Sequence, residues 1–241
     1  MVQTVCLLSG LLCDDTVWAT QAHALRQNND VRVMHFAGFD SISAMAEHVL
    51  ANMPARFSLA GHSMGGRVAL EVYRQAPERV QKLALLDTGY GPAAEDEAEK
   101  RGLLVRKALT DGIDAIAETW ACPMIAPCNL ADEELLDRIL NMVGRMSGEI
   151  YARQTKALLT RPDATPVLPG IDCPTLVLCG KQDTWSPPAR HEYMAASIPG
   201  SILRLVDDCG HMSPMEQPHE VLASLEDWIA MTPHHGDKTN E

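Results

Sequence analysis

At 241 residues, 46% hydrophobic and 22% charged, the chain is long enough to bury one sizeable core, and no repeat, low-complexity tract or long linker divides it. A formal net charge of −12 argues against nucleic acid and anionic membrane surfaces as partners, because both repel such a protein at long range. No segment approaches the roughly 18 to 20 apolar residues of a membrane span, and seven cysteines, odd in number and without C-x-x-C spacing, predict a reduced, cytoplasmic protein with no structural metal.

The first predicted element is a strand over 4–9. Its apolar run Val5-Cys6-Leu7-Leu8 lacks the basic segment of a secretion signal and is broken by Ser9-Gly10, so it reads as structure. A second strand follows at 31–36. A third covers 56–60, and Met64 to Gln75 carries helix formers, so Gly61-His62-Ser63-Met64-Gly65 is the turn between them. A fourth strand is predicted at 81–87. The stretch 88–173 then exceeds what one crossover helix needs and carries helical patterns of its own near 95–109, 112–120, 131–146 and 148–160. Strands at 174–180 and 201–206 follow. The last helix begins at Pro218 and sets Val221, Leu222, Leu225, Trp228 and Ile229 on one apolar face. Strands alternating with helices in this way predict an α/β fold with a mainly parallel six-stranded sheet.

A serine between two glycines, at a sharp reversal from strand to helix, is a nucleophile elbow. Gly61 and Gly65 lack the Cβ atoms that would collide there, and the helix behind Ser63 turns its N–H groups toward developing negative charge. A serine hydroxyl is a weak nucleophile at neutral pH, so a histidine base and a carboxylate are required later in the chain. The strand at 174–180 delivers Asp183 into a loop, and the strand at 201–206 is followed by His211. Asp183 is preferred as the carboxylate; Asp87 also ends a strand and is the alternative, whereas Asp207 and Asp208 are too local to His211. His62 is expected to point away from His211 and to pack or hydrogen-bond locally, and Arg67 to form a structural ion pair. Cys13 and Cys209 flank the site as small buried side chains.

Leu103, Leu104, Ile116, Trp120, Leu135, Ile139, Met142, Val143 and Met146 in the 88–173 stretch must pack on the core or on substrate. Together they suggest a mostly apolar acyl or aryl pocket with Met-rich walls, for which Trp120, Met142, Met146 and Trp185 are the candidate lining residues. Trp185 either lines that pocket or closes its loop. Arg145 and Arg153 belong to a solvated face or, alternatively, clamp a substrate carboxylate.

The ordered set Gly-His-Ser-Met-Gly, Gly-Lys-Gln-Asp-Thr-Trp-Ser-Pro and Cys-Gly-His-Met-Ser-Pro-Met-Glu-Gln-Pro resembles the α/β-hydrolase fold superfamily, and within it the small bacterial carboxylesterase- and lactonase-like members with a helical cap. The resemblance runs from about Val5 to about Ile229. It implies an α/β-hydrolase core at 1–87 and 174–231, a helical cap at 88–173 inserted between the fourth and fifth strands, and a polar tail at 232–241. The antiparallel strand pair that opens full-length relatives is missing. Ser9-Gly10-Leu11-Leu12 stands where the family usually has His-Gly, so the oxyanion hole falls to the backbone N–H groups of Leu11 and Met64, with Gly10 permitting close approach. The implied reaction is hydrolysis of small, mostly apolar carboxylic esters through an acyl-enzyme on Ser63, without cofactor or metal. Lactonase and carbon–carbon bond hydrolase activity remain open because the same triad serves them, and a non-catalytic small-molecule-binding role is the remaining alternative. A serine at 63 excludes the aspartyl-ester mechanism of related dehalogenases. Oligomeric state is left open.

Overall fold

The computed structural model describes residues 2–232, so the expected polar tail lies, past its first residue, outside the described residues. Among these residues six strands, β1 (Thr4–Leu8), β2 (Asp30–Met34), β3 (Phe57–His62), β4 (Val80–Leu86), β5 (Thr175–Gly180) and β6 (Ile202–Val206), form one all-parallel sheet in the order β2-β1-β3-β4-β5-β6. Every residue of β3 and β5 is buried, as parallel strands covered on both faces require, and their apolar runs follow from this. The edge strands β2 and β6 instead expose Arg32 and Arg204.

Among the described residues ten helices connect or cover the strands: α1 (Ala19–Leu25), α2 (Ile42–Asn52), α3 (Met64–Gln75), α4 (Glu97–Asp111), α5 (Ala117–Ala121), α6 (Glu133–Gly144), α7 (Gly148–Leu159), α8 (Pro188–Ser197), α9 (Ser213–Glu216) and α10 (Pro218–Ala230). Helix α2 packs on α3, and α1 on α10. No helix among the described residues is long and apolar enough to cross a membrane.

Strand order positions the site. The chain leaves β1 toward β2 on one side and then returns to β3 on the other, so the loops after β1 and β3 diverge and leave a crevice at their carboxyl ends. Strand β3 runs two residues further than its apolar run predicts. Gly61 and His62 continue the ladder opposite Leu85 and Leu86, and the expected five-residue turn shrinks to Ser63 alone.

Helices α4–α7 all lie between β4 and β5. Helix α4 begins at Glu97 and ends at Gly112, whose φ of 89° suits only glycine, and the helix expected at 112–120 is reduced to the five residues of α5. Asp132 and Ser147 cap α6 and α7 by accepting the N–H groups of Leu135 and Ile150. Helix α4 packs on α7, with the Ala108 backbone against Gly148, and turns Leu104 and Val105 to the core, which leaves Leu103, expected to pack, 65% exposed.

Candidate active site

The elbow concentrates its strain on Ser63, which takes φ 55° and ψ −117°. Such a conformation costs on the order of 1–3 kcal/mol and persists only where its surroundings over-determine it. Here the Ser63 N–H donates to the Leu86 carbonyl at 2.9 Å, and the Thr88 hydroxyl donates to the Ser63 carbonyl at 2.6 Å. A Cβ on Gly61 would collide with the Gly65 carbonyl, and one on Gly65 with the Leu8 carbonyl. Crowding, and not a left-handed backbone at the glycines, is what requires them.

From Ser63 a continuous chain of hydrogen bonds runs inward. The Ser63 hydroxyl lies 2.8 Å from Nε2 of His211, and Nδ1 of His211 lies 2.8 Å from Oδ2 of Asp183. The other oxygen of Asp183 accepts the N–H groups of Trp185 and Ser186, each at 2.8 Å. Burial favours protonation of Asp183, but the positive charge and hydrogen bond of His211 and these two N–H donors outweigh it and hold the carboxyl below its usual range. Burial likewise opposes charge on His211, yet Asp183, Asp87 and Glu216 together lift its pKa above the ordinary histidine value.

The histidine loop is tied to the segment between α5 and α6. The His211 N–H donates to the Met124 carbonyl at 2.6 Å. Buried Glu216 accepts from the N–H groups of Gly210, Met212 and Ala126 at 3.0, 3.1 and 2.8 Å, and from the Asn129 side chain at 3.0 Å.

Asp87, the alternative carboxylate, is fully buried. It accepts the Gly180 N–H at 3.0 Å and bonds the Ser213 hydroxyl, with no hydrogen bond to His211. Burial and the neighbouring Asp183 charge push its pKa well above the carboxylate range. His62 does not point away from His211: its Nε2–H donates to the His211 carbonyl at 2.8 Å, and the rings lie 5.5 Å apart. Burial first, then the charge of His211, lowers its pKa to about 3, so it braces the loop as a neutral ring. Asp87, Cys179 and Asp183 bring ligand-type atoms within 4.8 Å of one another, but the carboxylates are engaged as described and burial raises the Cys179 thiol far above its usual pKa. That donor set does not suit a cation.

The predicted oxyanion donors border Ser63. Leu11 lines a small recess with Ser63 and His211, and Met64 lines the main cavity. Met64 opens α3, where an N–H has no intrahelical acceptor. A Cβ on Gly10 would stand 3.0 Å from Nδ1 of His62 and 3.2 Å from Cβ of Ser63, so a larger residue would push the Leu11 loop away from Ser63. The Leu12 N–H donates to Gln154 of α7 at 2.9 Å, which fixes that loop from above.

The cavity over Ser63 measures about 530 Å³, a size suited to a small molecule. Its wall is not the Met-rich apolar surface expected. Trp185 lines it, and Trp120 reaches only the recess. Met142 is fully buried and Met146 half-buried against the core, because α6 turns its apolar face to α5 and to the turn at Asp15–Trp18 and never reaches the cavity. Arg145 pairs with Asp14 at 2.7 Å on the surface, and Arg153 is exposed. Beside Leu104, Tyr151, Leu158 and Trp185, the charged residues that line the cavity are Arg67, Lys100, Arg101, Arg161 and Arg190, with Asp96 and Glu97. Arg67 forms no ion pair among the described residues; it donates to the Gly91 carbonyl at 2.9 Å. Sequence reasoning missed this cluster. Its traces were Arg67 one helical turn after Ser63, and the Glu97/Arg101 spacing of four that sets both on one helix face.

Residues 13–224 match the sequence profile of the alpha/beta hydrolase family, and the chain belongs to that family. Among solved structures it is similar to a thermophilic esterase from Thermogutta terrifontis, at 30% identity and a TM-score of 0.85 over 94% of this chain and 89% of that one. An enol-lactonase from Burkholderia xenovorans superposes with a TM-score of 0.85 at 24% identity, over 96% and 92% of the two chains, a likeness of fold. By sequence the chain is 23% identical to the pimeloyl-[acyl-carrier protein] methyl ester esterase of Nitrosomonas europaea, over 91% of this chain and 93% of that protein.

Proposed function

We propose that the protein hydrolyses carboxylic esters of small molecules through an acyl-enzyme on Ser63. The observation that carries this reading is the unbroken hydrogen-bonded chain from Asp183 through His211 to a strained serine at the floor of a cavity. His211 takes the Ser63 proton as Oγ attacks the ester carbonyl, and the N–H groups of Leu11 and Met64 hold the oxyanion. His211 then protonates the departing alcohol, and water repeats the sequence on the acyl-enzyme. Asp183 keeps the proton of His211 on Nδ1 and stabilises the imidazolium. Residues 88–173 act as the cap over a core formed by 1–87 and 174–231. The odd number of cysteines, scattered over strands and loops, supports a reducing compartment.

Hydrolysis of p-nitrophenyl acetate tests the reading, with mass spectrometry to locate an acyl group on Ser63. Ser63→Ala is expected to lower kcat by roughly 10⁴-fold or more. Turnover unchanged by that substitution would overturn the proposal.

A further inference from the structure

In an acidic protein the cavity above Ser63 is locally basic: five cations face it against two carboxylates. Both carboxylates are already engaged. Glu97 pairs with Arg101 at 2.9 Å and Arg161 at 2.8 Å, and Asp96 pairs with Lys100. Arg161 is further committed to the carbonyls of Gly91, Pro92 and Leu158, so it serves as scaffold. That leaves Arg67 and Arg190. Among the described residues neither has a carboxylate within ion-pair distance. Arg67 donates to the Gly91 carbonyl, and Arg190 reaches the Trp185 carbonyl at 3.4 Å.

The two uncommitted guanidinium groups are neighbours. A Cβ on Gly89 would lie 2.6 Å from Nη2 of Arg67 and 3.1 Å from Nη1 of Arg190. Like charges side by side in a half-buried wall oppose one another, and an anion between them would relieve that opposition. Burial first, then the charges of Arg161 and Arg190, presses the Arg67 pKa down to about 9, which leaves it a cation at neutral pH. Both residues sit on core elements, Arg67 one turn beyond Ser63 on α3 and Arg190 on α8 just beyond the Asp183 loop. Their positions are therefore fixed by the same framework as the nucleophile.

A second, smaller space beside Ser63 decides which part of a substrate meets them. The recess lined by Leu11, Cys13, Trp120, Met124 and Met212 holds only about 30 Å³, room for one or two water-sized groups or a short alkyl group. Apart from Ser63, the two histidines His62 and His211, and Arg101, whose charge is paired with Glu97, its lining is apolar, so it suits a small neutral fragment.

We propose that the substrate is an acidic ester, whose small neutral fragment enters the recess and whose larger fragment carries a carboxylate held by Arg67 and Arg190. The planar fork of a guanidinium matches the two oxygens of a carboxylate, and the low dielectric of the wall strengthens the contact. This inference rests on the serine hydrolase reading above.

The test compares the monomethyl hemiesters of succinate, glutarate and adipate with the corresponding dimethyl esters, which match them at the scissile bond and lack the free carboxylate. For the hemiester of best length, kcat/KM is expected to exceed that of its diester by at least about tenfold, expressed mainly in KM. Added sodium chloride erodes the advantage in the unmutated protein. In Arg190→Gln and in Arg67→Gln the ratio of hemiester to diester collapses toward one; Arg190 lies outside the elbow helix and provides the answer if Arg67→Gln fails to fold. Hemiesters no better than diesters, with Ser63-dependent hydrolysis of p-nitrophenyl acetate intact, would overturn the anion site and leave the hydrolase reading standing. Absence of Ser63-dependent hydrolysis of every ester would overturn both.

Discussion

The groups of the proposed reaction hang from strand ends, whereas much of the cavity wall comes from α4 and α7. Ser63 follows β3, Asp183 follows β5, His211 follows β6 and Leu11 follows β1. Each stands within five residues of the end of its strand, although the N–H groups of Ser63 and His211 donate across the fold to the Leu86 and Met124 carbonyls. The cavity residues Arg101, Leu104, Tyr151 and Leu158 instead reach the site through the packing of α4 on α7. A strand end writes its chemistry into a short local pattern, while a helix face acquires its role only when another helix chooses which side turns inward.

The largest difference is expected at the carboxylates, both in the strand-end region. Asp183→Asn removes the acceptor that holds the His211 tautomer, and kcat is expected to fall by roughly 10⁴-fold. Asp87→Asn is expected to stay within a few-fold of wild type, because Asp87 makes no hydrogen bond to His211 and its own partners are the Gly180 N–H and the Ser213 hydroxyl. The pH profile carries the same distinction. Catalysis needs neutral His211, so activity rises with pH through the His211 pKa, and its raised pKa places that limb above the ordinary value of about 6.5. In Asp183→Asn the limb moves to lower pH as the dominant attraction for the imidazolium is lost. Rates and limbs measured from pH 5 to 9 decide the matter: a collapse confined to Asp87→Asn would reassign the carboxylate.

The same contrast explains what the sequence made legible. Glycine spacing around Ser63, the loop positions of Asp183 and His211, and the apolar runs of β3 and β5 are local, and all are found at or within two residues of where the pattern puts them. The extension of β3 through His62 was not legible, because pairing with Leu85 and Leu86 is a property of the neighbouring strand. Leu103 and Met142 show the limit more sharply. Both are apolar members of helical patterns, yet one faces solvent and the other is sealed in the core, since periodicity marks a face without saying what meets it. The sequence reads Arg67 as half of an ion pair and does not single out Arg190; their joint significance arises from lying against Gly89 together.

Met142 offers the next effect in size, this time on stability. Its side chain is completely buried with Ile139 and Val143 on the inward face of α6. Met142→Ala is expected to cost roughly 2–5 kcal/mol in a urea titration, through lost burial and the cavity left behind. KM for any ester is expected to remain at the wild-type value under conditions where the variant is folded, because the residue lines neither cavity. A KM shift without loss of stability would restore Met142 to the substrate wall.

Arg145 provides the smallest effect and the cleanest contrast with the cavity arginines. Its guanidinium bridges Asp14 and the Thr16 hydroxyl, each at 2.7 Å, but half of its side chain meets solvent. Exposed pairs of this kind contribute about 0–1 kcal/mol, because water screens the attraction and two side chains lose freedom to make it. Asp14 has a second role that survives the substitution: its other oxygen accepts the Thr16 N–H at 2.8 Å and caps the short turn at Asp15–Trp18. Arg145→Ala is therefore expected to lower stability by no more than about 1 kcal/mol and to leave kcat/KM on methyl hemiesters unchanged, since its charge faces away from Ser63. The comparison with Arg190→Gln isolates location from charge: both substitutions remove one cation from an acidic protein, so equal losses of hemiester turnover would mean that net charge, and not the paired guanidinium groups beside Gly89, governs the preference.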